Sequence, residues 1–108
     1  MTTIARTHWL SDEEASTMLR QIGRMNVLAV SGGRWHRADE DTLILPVHYG
    51  YDVRVRLDRG SDTYVVTRTF RRGFKVWIKA TWSNVYCDEV GETVYRASCY
   101  HDEPVGAD

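Results

Sequence analysis

The apolar positions of this chain follow two different periods, and each period predicts its own kind of element. Ala15, Met18, Leu19 and Ile22 recur at helical spacing behind Ser11-Asp12-Glu13-Glu14, so a helix is expected over about residues 12–22. Ser11 can accept from the Glu14 N–H while the Glu14 carboxylate bonds the Ser11 N–H, a reciprocal cap. Asp12 and Glu13 add negative charge at the positive end of the helix dipole, and Gly23 suits a left-handed cap. Beyond Gly23 the period shortens. Val27–Val30 reads as a short apolar strand closed by the turn Ser31-Gly32-Gly33, and Arg34–Arg37 as a weaker one. After Asp39-Glu40-Asp41, Leu43–Val47 reads as a strand with Pro46 at its edge or end.

Val53-Arg54-Val55-Arg56-Leu57 alternates strictly, and Asp58-Arg59-Gly60-Ser61-Asp62 is turn chemistry. Tyr64–Phe70 is rich in strand formers. Past a hairpin at Arg71-Arg72-Gly73, the run Phe74–Trp82 alternates again. Ser83 or Asn84 then caps a second helix reaching about Tyr100, with Tyr86, Val90, Val94 and Ala97 inward. Gly91 lies within that helix, where a close approach to the sheet would explain it. Helix, four to five antiparallel strands, helix: the order predicts an α+β two-layer sandwich with both helices on one face of the sheet. The chain reads as one domain over 1–108, with 1–10 and 102–108 loosely ordered.

Composition narrows the class without naming a function. The 108 residues suffice for one domain, and 43% hydrophobic with 27% charged residues matches a globular chain. No apolar run approaches the roughly 18 residues a membrane helix requires, and no signal peptide is visible. A soluble, cytoplasmic domain with no membrane partner is the expectation. The net charge of −1 removes any argument from a grossly basic or acidic chain, yet its distribution is uneven. Residues 1–50 carry −1, residues 51–82 carry eight basic against three acidic groups, or +5, and residues 83–108 carry −5. The bland reading is mutual neutralisation of the basic and acidic segments within the fold; the other is a functional basic surface.

Strand alternation assigns that charge to a surface. Arg54 and Arg56 point away from Val53, Val55 and Leu57. Reading Phe74, Val76, Ile78, Ala80 and Trp82 as inward leaves Lys75, Trp77, Lys79 and Thr81 outward. The uncovered face would then gather Arg54, Arg56, Lys75 and Lys79 around Trp77, with Thr67 and Thr69 beside them and Arg71 and Arg72 extending the patch. Cations interleaved with a ring suit single-stranded nucleic acid. An ordinary solvated sheet face, or a Trp77 covered by neighbouring stems or a second copy of the chain, is the alternative. The loop His48-Tyr49-Gly50-Tyr51 offers Tyr49 and Tyr51 as protein-contacting rings; alternatively one ring packs inward and Gly50 supplies an unusual backbone angle.

Other chemistry is poorly served. Cys87 and Cys99, placed on one helix, would lie about 18 Å apart, too far to bridge, and are expected as reduced thiols. Cys99 and His101 with His48 or His36 lack the paired spacing of a zinc site. Ser31-Gly32-Gly33 lacks a P-loop lysine, and Asp39-Glu40-Asp41 lacks calcium-loop spacing. No catalytic constellation emerges, so neither an enzyme nor a cofactor is expected.

Three stretches carry a resemblance. Gln21-Ile22-Gly23-Arg24-Met25-Asn26-Val27-Leu28-Ala29-Val30-Ser31-Gly32, Asp62-Thr63-Tyr64-Val65-Val66 and Asn84-Val85-Tyr86-Cys87-Asp88-Glu89-Val90 together resemble a group of small proteins of tailed bacteriophages, especially those of actinobacteria. The resemblance covers roughly residues 18–101 and agrees with the helix–sheet–helix order. The group has no assigned activity, so no functional residue carries over. What the resemblance implies is a phage accessory protein acting in the host cytoplasm. It would bind nucleic acid, bind or inhibit a host protein, or serve as a minor virion component.

Overall fold

The computed structural model describes residues 9–99 and builds them as three helices and one sheet. Helix α1 spans Asp12–Ile22 and carries the expected cap: Ser11 accepts from the Glu14 N–H at 3.1 Å, and Glu14 Oε1 accepts from the Ser11 N–H at 2.9 Å. Helix α2 spans Arg24–Ser31. Five strands follow, β1 (His36–Ala38), β2 (Thr42–Pro46), β3 (Tyr51–Asp58), β4 (Thr63–Arg72) and β5 (Lys75–Val85), and helix α3 (Val90–Ser98) closes the order. The sheet is an antiparallel meander with spatial order β1-β2-β3-β4-β5. The α+β architecture, with an N-terminal helix, an antiparallel sheet of five strands and a C-terminal helix, is as the hydrophobic pattern predicts; the second N-terminal helix, α2, is not.

Two elements differ from expectation. Val27–Val30 is helical, not a strand. Its buried positions, Val27, Val30 and Ser31, have helical spacing, while Leu28 and Ala29 are exposed. A four-residue apolar run fits either period, and packing decides it. The second correction is at the far end of the sheet. Ser83 and Asn84 cap nothing; they belong to β5, which runs on to the buried Val85. Helix α3 begins only at Val90, so Tyr86 is exposed and Cys87 lies in the preceding turn. Both cysteines are free and exposed, and the same-helix spacing argument does not apply to them. The expectations for Tyr100, His101 and the two termini fall outside the described residues.

The core lies between the helices and one face of the sheet. Met18 and Ile22 from α1, Val27 and Val30 from α2, and Val90, Val94 and Ala97 from α3 pack on Leu43, Leu45, Val53, Val55 and Val66. Gly91 does mark a close approach, but against α1 and not the sheet. A Cβ there would sit 2.4 Å from the Ile22 carbonyl oxygen and 2.8 Å from Asn26 Nδ2. Asn26 Nδ2 in turn donates to that same carbonyl at 2.8 Å, satisfying an acceptor left open at the end of α1.

Ion pairs tie the helical layer to the loops. Arg37 Nη1 donates to Asp12 Oδ1 at 2.8 Å and to the Leu10 carbonyl at 3.1 Å. Arg59 donates to Glu14 at 2.7 and 3.0 Å and to Asp41 at 2.9 and 3.0 Å. The Arg59 hydrogen bonds, followed by the Ser11 N–H, hold the Glu14 carboxyl down at about 2.

Candidate nucleic-acid interface

The register of the strands decides which residues share a face. Val55 pairs with Val66, Val53 with Arg68 and Tyr51 with Phe70, so these six side chains lie on the helix side of the sheet. Across β4 and β5, Val66 faces Trp82 and Arg68 faces Ala80, as the alternation read backwards from Trp82 requires. Then Lys79 intervenes as an extra residue: the next pairs are Thr69 with Ile78 and Phe70 with Trp77. A bulge of one residue reverses the side on which every following side chain stands. Trp77 and Lys75 therefore lie on the helix side, and Val76 and Ile78 on the outer side, opposite to the expected assignment.

The expected cluster around Trp77 is thus divided. On the outer face stand Arg54, half-buried, and Arg56, exposed, with Thr67 and Thr69 beside them as expected. Arg71 shares this face and brings Nη2 to 4.0 Å from Asp52 Oδ2. On the helix side, Arg72 pairs with Lys75 at the end of the β4–β5 hairpin, whose turn is Gly73-Phe74. Lys79 occupies the bulge and is exposed.

The structure joins Trp77 instead to Tyr51, which the sequence pattern had assigned to a separate loop surface. Tyr51, Phe70 and Trp77 come from three adjacent strands and form a row. Their centroids lie 4.9 Å apart from Tyr51 to Phe70 and 5.7 Å from Phe70 to Trp77. Arg68 closes the inner end: its guanidinium carbon sits 4.1 Å from the centre of the Tyr51 ring. The same group donates to the carbonyls of Ala97 and Ser98 at 2.8 and 3.0 Å, at the C-terminal end of α3, where a cation favours the helix dipole. At the outer end Trp77 remains 43% exposed, and Phe74 at the turn is fully exposed.

The loop before β3 braces this hairpin. The Arg71 N–H donates to the Gly50 carbonyl at 2.9 Å. Gly50 has φ +85°, and a Cβ there would lie 2.7 Å from the Arg71 carbonyl oxygen. Of the loop's two rings, Tyr51 packs and Tyr49 is 92% exposed. The alternative in which one ring packs inward and Gly50 takes an unusual backbone angle is the one observed, with Tyr51 as that ring.

Two of the three rings lie in a stretch of chain whose charge is of one sign, while Asp52 beside Tyr51 approaches Arg71 on the outer face. Residues 63–87 contain five cations, Arg68, Arg71, Arg72, Lys75 and Lys79, and no acidic residue. Phe70, which links the two other rings, is the functional candidate that sequence reasoning missed. Its pairing with both Tyr51 and Trp77 is a property of register, and only the aromatic residue in a strand-forming run hinted at it.

Among the described residues no three metal-ligating side chains cluster, and no helix is long and apolar enough to cross a membrane. No family model, curated protein or solved structure matches the chain.

Proposed function

We propose that this chain is a non-enzymatic accessory protein of a tailed phage that binds single-stranded nucleic acid in the host cytoplasm, through the helix-side face of the β4–β5 hairpin. The observation that carries the binding reading is the aromatic row Tyr51–Phe70–Trp77, two of whose rings lie in an acid-free stretch of five cations. Rings accept the faces of bases irrespective of sequence, and Arg72 and Lys75 on the same face meet phosphates. Trp77 and Phe74 are the rings with free surface. The phage assignment rests on the three sequence stretches that resemble phage proteins.

The test is fluorescence anisotropy of labelled oligonucleotides. The expected result is saturable binding of a single strand at low salt, tighter than a duplex of equal length. Trp77→Ala should weaken it by about 1–3 kcal/mol, the value of one stacked base. Unchanged anisotropy for single strands at micromolar protein and low salt overturns the reading.

A second reading has its own observation. Val76, Ile78 and Phe74 are exposed apolar side chains on the same hairpin, which suits a protein partner, from the host, from the virion or as a second copy of the chain. An apolar contact survives moderate salt, whereas phosphate binding weakens steeply. Sedimentation at two concentrations isolates the homodimer, and mass spectrometry of purified particles isolates the virion component.

A further inference from the structure

The outer face of the sheet carries a separate groove of about 420 Å³, whose walls include Arg54, Arg56, Thr69, Val65, Val76 and Ile78. Neither arginine forms an ion pair among the described residues. Two hydrogen-bond donors in this groove have nothing to donate to: the buried Nε of Arg54 and the hydroxyl of Thr69, a residue only 2% exposed. The two are diagonal neighbours, since Arg54 pairs with Thr67 and Asp52 pairs with Thr69. Buried donors normally have acceptors, and leaving one open costs stability. Asp52, cross-strand from Thr69 on this face, does not line the groove; its buried Oδ2 accepts no hydrogen bond either, and Arg71 Nη2 stands 4.0 Å from it.

We propose that this groove binds a small organic oxyanion, a carboxylate or phosphate monoester, with its charged head on Arg54 and Thr69 and an apolar body against Val65, Val76 and Ile78. An arginine fork and a hydroxyl supply directional donors to a planar or tetrahedral oxyanion, and aliphatic walls favour a ligand that is not all charge. The volume lies in the range of small-molecule sites. Asp39 and Glu40 also border the groove. Their charge opposes a polyanion running its length, so the occupant differs from the nucleic acid proposed for the opposite face. Arg72, Lys75 and Trp77 do not line this groove, and the inference is independent of the nucleic-acid reading.

The experiment is an amide ¹H–¹⁵N NMR titration of the full chain with benzoate and with phenyl phosphate. Benzyl alcohol supplies the body without the charge, and inorganic phosphate the charge without the body. Saturable shifts centred on Arg54, Thr67, Thr69 and Ile78 are expected with at least one of the two organic anions, at least tenfold tighter than with either control. Whichever anion binds identifies the head group. Arg54→Gln should abolish the binding. Thr69→Val, which replaces the unpartnered hydroxyl with a methyl, should weaken binding several-fold yet leave the thermal midpoint unchanged or raised, a combination that a merely structural threonine would not give. Absence of saturable shifts with both organic anions overturns the proposal, as does wild-type affinity in Thr69→Val. Displacement of the bound anion by a single-stranded oligonucleotide, with shifts in the same amides, would also overturn it by assigning the groove to nucleic acid.

Discussion

Single atoms at the joints of this protein are held by specific chemistry, and their removal has signed consequences. Gly91 leaves room for the Ile22 carbonyl where a Cβ would lie at 2.4 Å. Gly91→Ala gains about 1 kcal/mol of helix propensity but forces backbone apart, so a net loss of about 1–3 kcal/mol is expected, read as a lower urea midpoint. Glu14 offers a test by pH. Its folded carboxyl titrates at about 2 against an ordinary 4.5, chiefly because Arg59 donates to it. A depressed carboxylate stabilises the fold above its unfolded value, and the contribution is lost as pH falls from 4.5 through 2. Glu14→Gln should therefore destabilise the protein at neutral pH. The gap to wild type should close on acidification across that window, in urea unfolding curves measured at each pH. A constant gap would mean that Arg59 does not recognise the Glu14 charge.

Among the elements, the β4–β5 hairpin stands apart from the others because its distal half contributes little to the core. Residues 71–79 are exposed without interruption, whereas Val66 near the base of the same hairpin is fully buried. Substitutions at its end should then separate binding from folding. The double variant Arg72→Glu, Lys75→Glu should unfold within about 0.5 kcal/mol of wild type, as exposed substitutions commonly do, while losing single-strand affinity. A large drop in stability would place those side chains in the packing and not on a recognition surface. Helix α2 behaves in the opposite way: Val27 and Val30 are core residues, and Gly32, at φ +66° and ψ +24°, ends the helix with an N–H donated to Leu28. That left-handed cap favours glycine, so Gly32→Ala should lower stability by about 1 kcal/mol without touching either proposed site.

At the scale of the whole molecule the net charge is close to zero, and binding to polyanions must come from its uneven distribution. Three acidic groups are held at the helical layer, Asp12 by Arg37 and Glu14 with Asp41 by Arg59, and Asp52 approaches Arg71 on the outer face, while residues 63–87 contain cations alone. For single strands the slope of log affinity against log salt is about −0.7 per phosphate neutralised. Arg72, Lys75 and one neighbouring cation should thus give a slope near −2. Each of Arg72→Gln and Lys75→Gln should flatten it by about 0.7, in anisotropy titrations at several salt concentrations. A slope near zero would favour an apolar protein interface on the same hairpin.

The local sequence determined what depends on neighbours within a few residues. The α1 cap, its apolar stripe, the β3 alternation and the order of strands all follow from spacing along the chain, and so does the concentration of charge in residues 63–87. What spacing did not determine was decided across the sheet. Val27–Val30 is too short to fix its own period, and the core that Val27 and Val30 enter made it helical. Asn84, at φ +55°, and Lys79 mark irregularities in the pairing of β5 with β4, and an extra residue has no signature in a run that otherwise alternates. That single residue at Lys79 moved Trp77 away from Arg54 and Arg56 and into a row with Phe70 and Tyr51. A side chain's face is relative to a partner strand, so the charge was legible in the sequence, but the surface it shares with the rings exists only once the strands are paired.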